Sequence, residues 1–162
     1  MSNISNIDDI ECQELSNGDF AFLRKSLSNA TGGKKLGAGH YILQPGKKAF
    51  PFHCHYAVEE AIFILDGEGT LRLGNESHPV KKNDYIALPV GRDHAHQLIN
   101  TSNAPLTYLC MSTMEEPDVM EYPDSNKVGL MTGTPPGGKK DESSFKAFYK
   151  KASDVDYFSG ES

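Results

Sequence analysis

Short apolar runs separated by turn-forming residues recur through the middle of the chain at intervals of about ten residues. The runs read GHYILQPG, AFPFHCH, EAIFILDG, GTLRLGN, DYIALPVG, HAHQLIN and APLTYLCMST. This spacing is typical of β-sandwiches and β-barrels, in which short strands alternate with tight turns. Apolar positions at helical spacing are rare over the same span. The pattern therefore predicts an all-β domain.

Turn signals mark the boundaries between these strands. The sequence Asp-Gly-Glu-Gly at 66–69 lies between two apolar runs and supplies residues that tolerate positive φ. We therefore predict a β-hairpin over residues 61–73. Asn-Asp at 83–84 and Pro-Val-Gly at 89–91 predict further turns.

Both ends of the chain depart from this pattern. Residues 1–18 are polar, with isoleucines at positions 4, 7 and 10 that suit either one amphipathic helical turn or a strand added to a partner. Residues 115–144 contain four prolines and several glycines, which favour an irregular excursion over a packed element. The final segment carries five aromatic side chains that we expect to pack on the barrel or on a second subunit. They are Phe145, Phe148, Tyr149, Tyr157 and Phe158.

Composition favours a single-domain protein whose partner is a small molecule. The chain has 162 residues, 38% of them hydrophobic, and a net charge of −6, and this length suits one domain, 1–162, with a core of its own. The acidic balance argues against a nucleic-acid or membrane-surface partner. We expect a cytoplasmic protein, because the sequence has no signal-peptide pattern and no apolar stretch approaching the roughly twenty residues that span a bilayer. Three scattered cysteines argue against a disulfide framework.

The candidate chemistry is a cluster of histidines with one carboxylate. His53 and His55 are two residues apart, so on a strand their imidazoles project from the same face, about 6.6 Å apart. Glu60 and one of the later histidines, His94 or His96, would complete a nitrogen and oxygen ligand set for a divalent metal. This pattern predicts a metal site.

Two neighbours of these residues are weaker candidates. Strand alternation sends the thiol of Cys54 to the face opposite the two flanking imidazoles, where we expect it to be a small buried hydrophobe. The same alternation separates Glu59 from Glu60, and we expect Glu59 to be solvated or paired.

These residues resemble the first sequence motif of the cupins, small jelly-roll β-barrels that hold one metal inside the barrel. The motif reads glycine, five residues, His-x-His, three or four residues, glutamate, six residues and glycine. Here six residues rather than five separate Gly46 from His-Cys-His at 53–55, four residues precede Glu60, and six more precede Gly67. The spacing to Gly67 selects Glu60 over Glu59.

The second cupin motif reads glycine, five residues, Pro-x-Gly, two residues, histidine, three residues and asparagine. Here Asn83 stands at the first glycine, and Pro-Val-Gly follows at 89–91. Counting forward from this turn selects His94, whereas counting back from Asn100 selects His96. A two-residue insertion after the turn reconciles the two halves in favour of His96. The stretch AHQLIN is also similar to the corresponding strand of single-domain cupins that resemble type II mannose-6-phosphate isomerases and sugar-phosphate isomerases, so we predict His96 as the ligand.

The resemblance is carried by residues 36–113. It implies an all-β, double-stranded β-helix of the jelly-roll, cupin type, with an N-terminal extension (1–35) and a longer C-terminal extension (114–162). It also implies a homodimer. It further implies one divalent metal ion, Zn, Mn, Fe or Ni, with four ligands: His53, His55, Glu60 and His96.

A shell of three imidazoles and one carboxylate leaves two positions of an octahedral ion for water or substrate. Such a Lewis acid could polarise a carbonyl and ease removal of the neighbouring proton, which is the core of aldose–ketose isomerisation. With the resemblance, this predicts a metal-dependent isomerase or epimerase acting on a small sugar phosphate or polyol. Two alternatives stay open: an oxygenase or lyase built on the same site, and a non-catalytic protein that binds a small ligand.

An isomerase also needs a proton carrier and cationic groups for a phosphate. Tyr41, His94 and Tyr108 are the predicted proton carriers, and His94 would face the barrel interior if its strand already begins there. Arg72 and Arg92 are the predicted phosphate-binding residues.

Overall fold

The computed structural model describes residues 2–133, 142 and 144–161. Part of the predicted irregular excursion, which contains Pro135, Pro136, Gly137 and Gly138, lies outside the described residues. The described residues include no helix with the length and apolarity needed to cross a membrane.

Strands dominate the described part of the chain. They are β1 (Gln13–Asn17), β2 (Phe20–Ser26), β3 (Leu36–Leu43), β4 (Cys54–His55), β5 (Glu60–Asp66), β6 (Glu68–Leu73), β7 (Glu76–Lys81), β8 (Tyr85–Leu88), β9 (His96–Ile99), β10 (Leu106–Thr113), β11 (Asp118–Tyr122), β12 (Lys127–Thr132) and β13 (Phe145–Lys150). One short helix, α1 (Leu27–Thr31), joins β2 to β3, and 3-10 helices span Ile7–Asp9, Arg92–His94, Pro123–Ser125 and Lys151–Ser153.

The strands form two antiparallel layers. One is a six-stranded sheet in the order β1-β2-β3-β10-β5-β8, and the other contains the sheets β13-β12-β11-β4 and β7-β6-β9. A β-bridge between His53 and His96 joins the two parts of the second layer. From β5 to β10 the chain repeatedly crosses between layers, which is the arrangement of a double-stranded β-helix. The predicted all-β, double-stranded β-helix fold is therefore confirmed.

The hydrophobic core lies between the two layers. In β3 every second residue is buried, including Tyr41 and Leu43, because alternate side chains of a strand face the same side. Ile64 of β5, Leu106 of β10 and Leu98 of β9 meet them in one cluster. Complete burial of an aliphatic side chain of this size contributes about 1.5–3 kcal/mol, so this cluster holds the two layers together.

The predicted hairpin over residues 61–73 is wrong. β5 pairs with β8 and β10, whereas β6 pairs with β7 and β9 in the other layer. The chain turns between them at Gly67, whose φ is 84°, a conformation that glycine adopts without steric cost. A Cβ at this position would lie 2.5 Å from the carbonyl oxygen of Pro105. The glycine therefore makes a crossover between layers rather than a hairpin turn.

The N-terminal extension contains a short helical turn, the first of the two alternatives that the isoleucine spacing left open, whereas addition of a strand to a partner stays a prediction. Residues Ile7–Asp9 form one 3-10 turn. β1 is a strand added to a sheet, but it pairs with β2 of the same chain. The extension thus widens the six-stranded layer.

The C-terminal extension is more regular than its composition predicts. β11 and β12 pair with each other within the stretch predicted to be irregular, so that prediction is wrong for residues 118–132. Pro117 and Pro123 directly flank β11 and do not interrupt it, because proline is compatible with strand ends. β13 then pairs with β12 at the edge of the layer.

The terminal aromatic residues only partly pack on the barrel. Phe148 contacts Tyr122 with ring centroids 5.8 Å apart. Tyr157 and Phe158 are 88% and 72% exposed, so these two side chains do not take the first of the two predicted positions, on the barrel of their own chain. Contact with a second subunit stays a prediction.

Candidate metal centre

His53 and His96 are brought together by a cross-strand pair. The backbone NH of His53 donates to the carbonyl of His96 at 3.1 Å, and the NH of His96 donates to the carbonyl of His53 at 2.7 Å. Residues directly opposite on antiparallel strands project their side chains from the same face, and the two ring centroids are 4.7 Å apart. Both histidines are buried.

His55 joins them from the end of β4. It lies two residues after His53, and the centroids of the two rings are 4.9 Å apart. β4 is held in place by β11, where Met120 pairs with His55. The predicted convergence of the His-x-His pair is therefore observed. The thiol of Cys54 lies on the other side, in a buried cluster with Phe52 and Ala95, as predicted.

Glu60 approaches the three imidazoles from the opposite layer, as the first residue of β5. Its Oε2 lies 3.1 Å from Nε2 of His96 and 3.6 Å from Nε2 of His55. One donor atom each from His53, Glu60 and His96 lies within 4.8 Å of the others. Glu59 is exposed, so alternation separates the two carboxylates as predicted.

An oxygen atom behind each imidazole fixes its orientation and tautomer. Nδ1 of His53 lies 2.8 Å from the carbonyl of Pro51, and Nδ1 of His96 lies 3.0 Å from the carbonyl of His94. Nδ1 of His55 lies 2.5 Å from Oδ2 of Asp118. Carbonyl and carboxylate oxygens accept hydrogen bonds, so Nδ1 carries the proton and donates in each ring. Nε2 is then the nitrogen available to a metal on all three rings.

The donor set fits one divalent ion. Ligands about 2.1 Å from an ion and at right angles to each other are about 3 Å apart, which is close to the distances from Oε2 of Glu60 to Nε2 of His96 and of His55. Neutral imidazoles and a carboxylate suit Zn, Mn, Fe and Ni alike. The cluster of His53, Glu60 and His96 could therefore hold a metal ion. The role of His55 as a fourth ligand stays a prediction.

For His53 and Glu60, the electrostatics of the cluster favour the protonation states that metal binding requires. Burial lowers the pKa of His53 to about 3, and the neighbouring His96 acts in the same direction. Burial alone would raise the pKa of Glu60, but the imidazole of His96 beside its Oε2 and the other nearby imidazoles lower it to about 2. Near neutral pH His53 is thus neutral and Glu60 is anionic, as in a loaded metal site.

Asp118 acts on His55 from behind. Burial would lower the pKa of His55, but the hydrogen bond with Asp118 and the charge of Glu60 raise it. Asp118 is itself 2% exposed, and its other oxygen, Oδ1, accepts from the backbone NH of Ala57 at 3.1 Å. This carboxylate therefore links the C-terminal extension to the metal centre.

A cavity of about 450 Å³ opens beside these residues, a size within the range of small-molecule sites. His53, His55 and Glu60 line one part of it. Tyr122 of β11 also lines it and stacks on His53, with centroids 5.7 Å apart and planes 13° from parallel. The centre is thus accessible to a small ligand through this cavity.

The three predicted proton carriers lie in different places. Tyr41 lines the cavity. The Tyr108 ring stacks on the Tyr41 ring, with centroids 5.1 Å apart, but Tyr108 is 1% exposed and does not line the cavity. Its hydroxyl has no hydrogen-bond partner among the described residues. His94 belongs to a 3-10 helix, and β9 begins only at His96. Strand alternation therefore does not place His94 on the same inward face as His96. Of the three, Tyr41 is the residue that a ligand in the cavity would contact.

Arg72 and Arg92, the predicted phosphate-binding residues, do not line the cavity. Arg72 makes a bidentate pair with Asp124, at 2.6 and 2.8 Å. Arg92 is largely exposed and lies 3.4 Å from Glu121. This assignment is wrong, because neither guanidinium group lines the cavity and each is paired with a carboxylate.

Three residues of the site are absent from the sequence-based prediction. Asp118 and Tyr122 lie in the stretch predicted to be irregular, although the strand-forming Val and Tyr of the short run Asp-Val-Met-Glu-Tyr, which two prolines bound, were a signal for a strand. Arg24 of β2 lines the cavity, and no motif marks it in the sequence.

Comparisons with known proteins agree with this architecture. The family model described as "Cupin domain" matches residues 39–112. An uncharacterized protein of Methanocaldococcus jannaschii is 34% identical over 108 residues, which cover 64% of this chain and 84% of the relative. Two solved structures are similar over nearly their whole length.

The first of these structures is a proposed sugar phosphate isomerase of Acidithiobacillus ferrooxidans, with a TM-score of 0.80 and 23% identity over 95% of this chain and 96% of that one. The second is a sugar phosphate isomerase of the cupin superfamily from Silicibacter pomeroyi, with a TM-score of 0.75 and 24% identity over 91% and 92%. At this level of identity the likeness shows that the fold is shared.

Proposed function

This chain belongs to the cupin superfamily, and on that premise we propose that it is a metal-dependent isomerase or epimerase of a small phosphorylated sugar or polyol. The observation that carries the proposal is the arrangement of three imidazoles. Each is held at Nδ1 by an oxygen, Nε2 of His96 and Nε2 of His55 lie 3.1 and 3.6 Å from Glu60, and a cavity of about 450 Å³ opens beside the cluster. Such an arrangement is suited to an open metal site next to bound substrate.

A divalent ion bound by His53, His55, Glu60 and His96 would supply Lewis acidity to two neighbouring oxygens of a hydroxy-carbonyl compound. The chain supplies the rest of the site. Tyr41 presents a phenol to the cavity, and burial raises its pKa, so near neutral pH the phenol keeps its proton and acts as a hydrogen-bond donor to a substrate oxygen. Tyr122 forms a flat wall beside His53, which limits the positions that a substrate can take.

The comparisons support this choice of reaction class without deciding it. The two structures from Acidithiobacillus ferrooxidans and Silicibacter pomeroyi both carry the name sugar phosphate isomerase. A shared fold alone does not fix an activity, because the same scaffold serves different chemistries. The proposal therefore rests on the centre and the cavity, with the names of these proteins as added support.

The test is interconversion of aldose and ketose phosphates by the metal-loaded protein. We expect turnover that is abolished by a chelator, restored by a divalent metal, and lost in Glu60→Gln. The matched control is Glu59→Gln, which removes the neighbouring exposed carboxylate and should leave turnover unchanged. Absence of turnover with every aldose and ketose phosphate would contradict the proposal. Thermal stabilisation by such a compound without product would instead favour a non-catalytic binding protein.

A further inference from the structure

The cavity beside the metal centre has a cationic part that the metal centre does not use. Arg24 of β2 and Lys146 of β13 both line this cavity. We propose that these two residues form an anion-binding subsite that takes the phosphate group of a phosphate monoester. The inference rests on the proposed function for the position of the rest of that ligand, which would extend toward Glu60.

Strand alternation places Arg24 on the cavity side of β2. Phe22, Arg24 and Ser26 all line the cavity, because residues two apart on a strand share a face. Lys25 points the other way, and its Nζ donates to the carbonyl of Ile7 at 2.8 Å. The strand thus separates a cavity-facing guanidinium from a lysine bound to the N-terminal segment.

Arg24 is held over a rigid aromatic platform. It lies opposite Tyr41 in the β2–β3 pairing, and its guanidinium carbon is 5.7 Å from the centroid of the Tyr41 ring. The Tyr41 ring stacks in turn on the fully buried Tyr108. A guanidinium positioned in this way loses little conformational entropy when it binds an oxyanion with two parallel hydrogen bonds.

Lys146 supplies a second positive charge from the opposite end of the chain. Its Nζ lies 5.7 Å from the centroid of Phe148, which lines the cavity two residues further along β13. No carboxylate forms an ion pair with Lys146 in the part of the chain that the structure describes. A phosphate monoester carries a charge of about −1.5 to −2 at pH 7. The two positive charges of the subsite match this charge more closely than they match the single negative charge of a carboxylate ligand.

The subsite and the metal centre come from different parts of the sequence. The four predicted metal ligands lie within the matched cupin region, residues 39–112, whereas Arg24 and Lys146 lie in the two extensions. The barrel would thus supply the reactive end of the site, and the extensions would select the ligand that reaches it.

The test is calorimetric titration of the metal-loaded, full-length protein with inorganic phosphate. We expect Arg24→Gln and Lys146→Gln each to weaken phosphate binding by about tenfold or more, since each removes a charge-assisted contact. The matched control is Lys25→Gln, which removes the same charge one residue away on the other face of β2 and should leave the affinity unchanged. Acetate should bind less tightly than phosphate and should lose little affinity in either variant.

Equal weakening in Lys25→Gln, or unchanged affinity in both cavity variants, would overturn the subsite. If Arg24→Gln does not fold, as judged by thermal unfolding, Lys146→Gln decides alone, because its residue lies in the edge strand of its sheet. The two proposals fail separately. Phosphate binding that depends on Arg24, without turnover of any phosphorylated sugar, removes the isomerase and leaves the subsite. Turnover with a KM that Arg24→Gln does not change removes the subsite and leaves the isomerase.

Discussion

At the scale of single residues, each imidazole of the centre is oriented by the oxygen that its Nδ1 contacts. For His53 and His96 that oxygen belongs to a backbone carbonyl two residues earlier, so the sequence itself sets the contact. For His55 it belongs to Asp118, 63 residues away along the chain. The orientation of His55 therefore depends on a side chain that can be replaced.

We expect Asp118→Asn to weaken metal binding by about 10- to 100-fold, which is the usual effect of changing the partner behind a ligating histidine. The amide keeps the shape of the carboxylate but removes the charge that makes His55 more basic. Competition with a chromophoric chelator would measure the affinity. Asp124→Asn is the control, because it removes a carboxylate that pairs with Arg72 outside the cavity. An unchanged metal affinity in Asp118→Asn would show that metal binding does not depend on the contact between Asp118 and His55.

At the scale of elements, the position of each strand explains why some predictions held and others did not. The alternation in β3 and the His-x-His spacing depend only on neighbouring residues, so the sequence was sufficient to predict the barrel and the inward face at residues 53–55. Whether β6 pairs with β5 or crosses to the other layer depends on long-range packing. The turn-forming residues between the two strands carry no information about that packing. β11 was missed because prolines that flank a strand and prolines that interrupt one look alike in composition.

The crossover at Gly67 gives a test of this account. We expect Gly67→Ala to lower the free energy of unfolding by more than about 1–2 kcal/mol, because the residue has positive φ and an added Cβ would meet the Pro105 carbonyl at 2.5 Å. Gly18→Ala is the matched control, since Gly18 has a φ of 62° but open space around the added atom. Chemical denaturation compares the two variants. Equal losses of stability would contradict a close approach at Gly67.

The C-terminal 3-10 helix is tied to β11 by a buried carboxylate. Glu121 accepts from Lys151 at 2.5 Å and from the hydroxyl of Tyr56 at 2.8 Å, and the Lys151 contact is the largest factor that lowers the pKa of Glu121. A carboxyl whose pKa is lower in the folded state stabilises the fold above its unfolded pKa, about 4.5, and loses that contribution as the pH falls through the folded pKa.

We therefore expect the stability difference between wild type and Glu121→Gln to be largest above pH 5 and to shrink on acidification. Denaturation curves at a series of pH values would measure this difference. Because both proteins retain Glu60, its titration cancels in the comparison. A difference that stays constant down to about pH 2 would show that the contacts of Glu121 do not depend on its charge.

At the scale of the whole molecule, the chain is a two-layer barrel whose extensions add β1 and β2 to one layer and β11 to β13 to the other. Several large apolar side chains remain exposed in the single chain, among them Leu36, Tyr157 and Phe158. We propose that the protein is a homodimer that covers part of this surface. Light scattering at micromolar concentration should then give twice the chain mass of 17.8 kDa, whereas a mass of one chain would contradict the proposal.

We propose that His96, and not His94, completes the metal centre. Elemental analysis of the purified protein beside His94→Ala and His96→Ala tests it most directly. The structure places Nε2 of His96 3.1 Å from Glu60, whereas His94 lies in the 3-10 helix before β9. We expect about one divalent ion per chain in the wild type and in His94→Ala, and loss of the ion in His96→Ala. Loss of the ion only in His94→Ala, or its retention in both variants, would contradict the account.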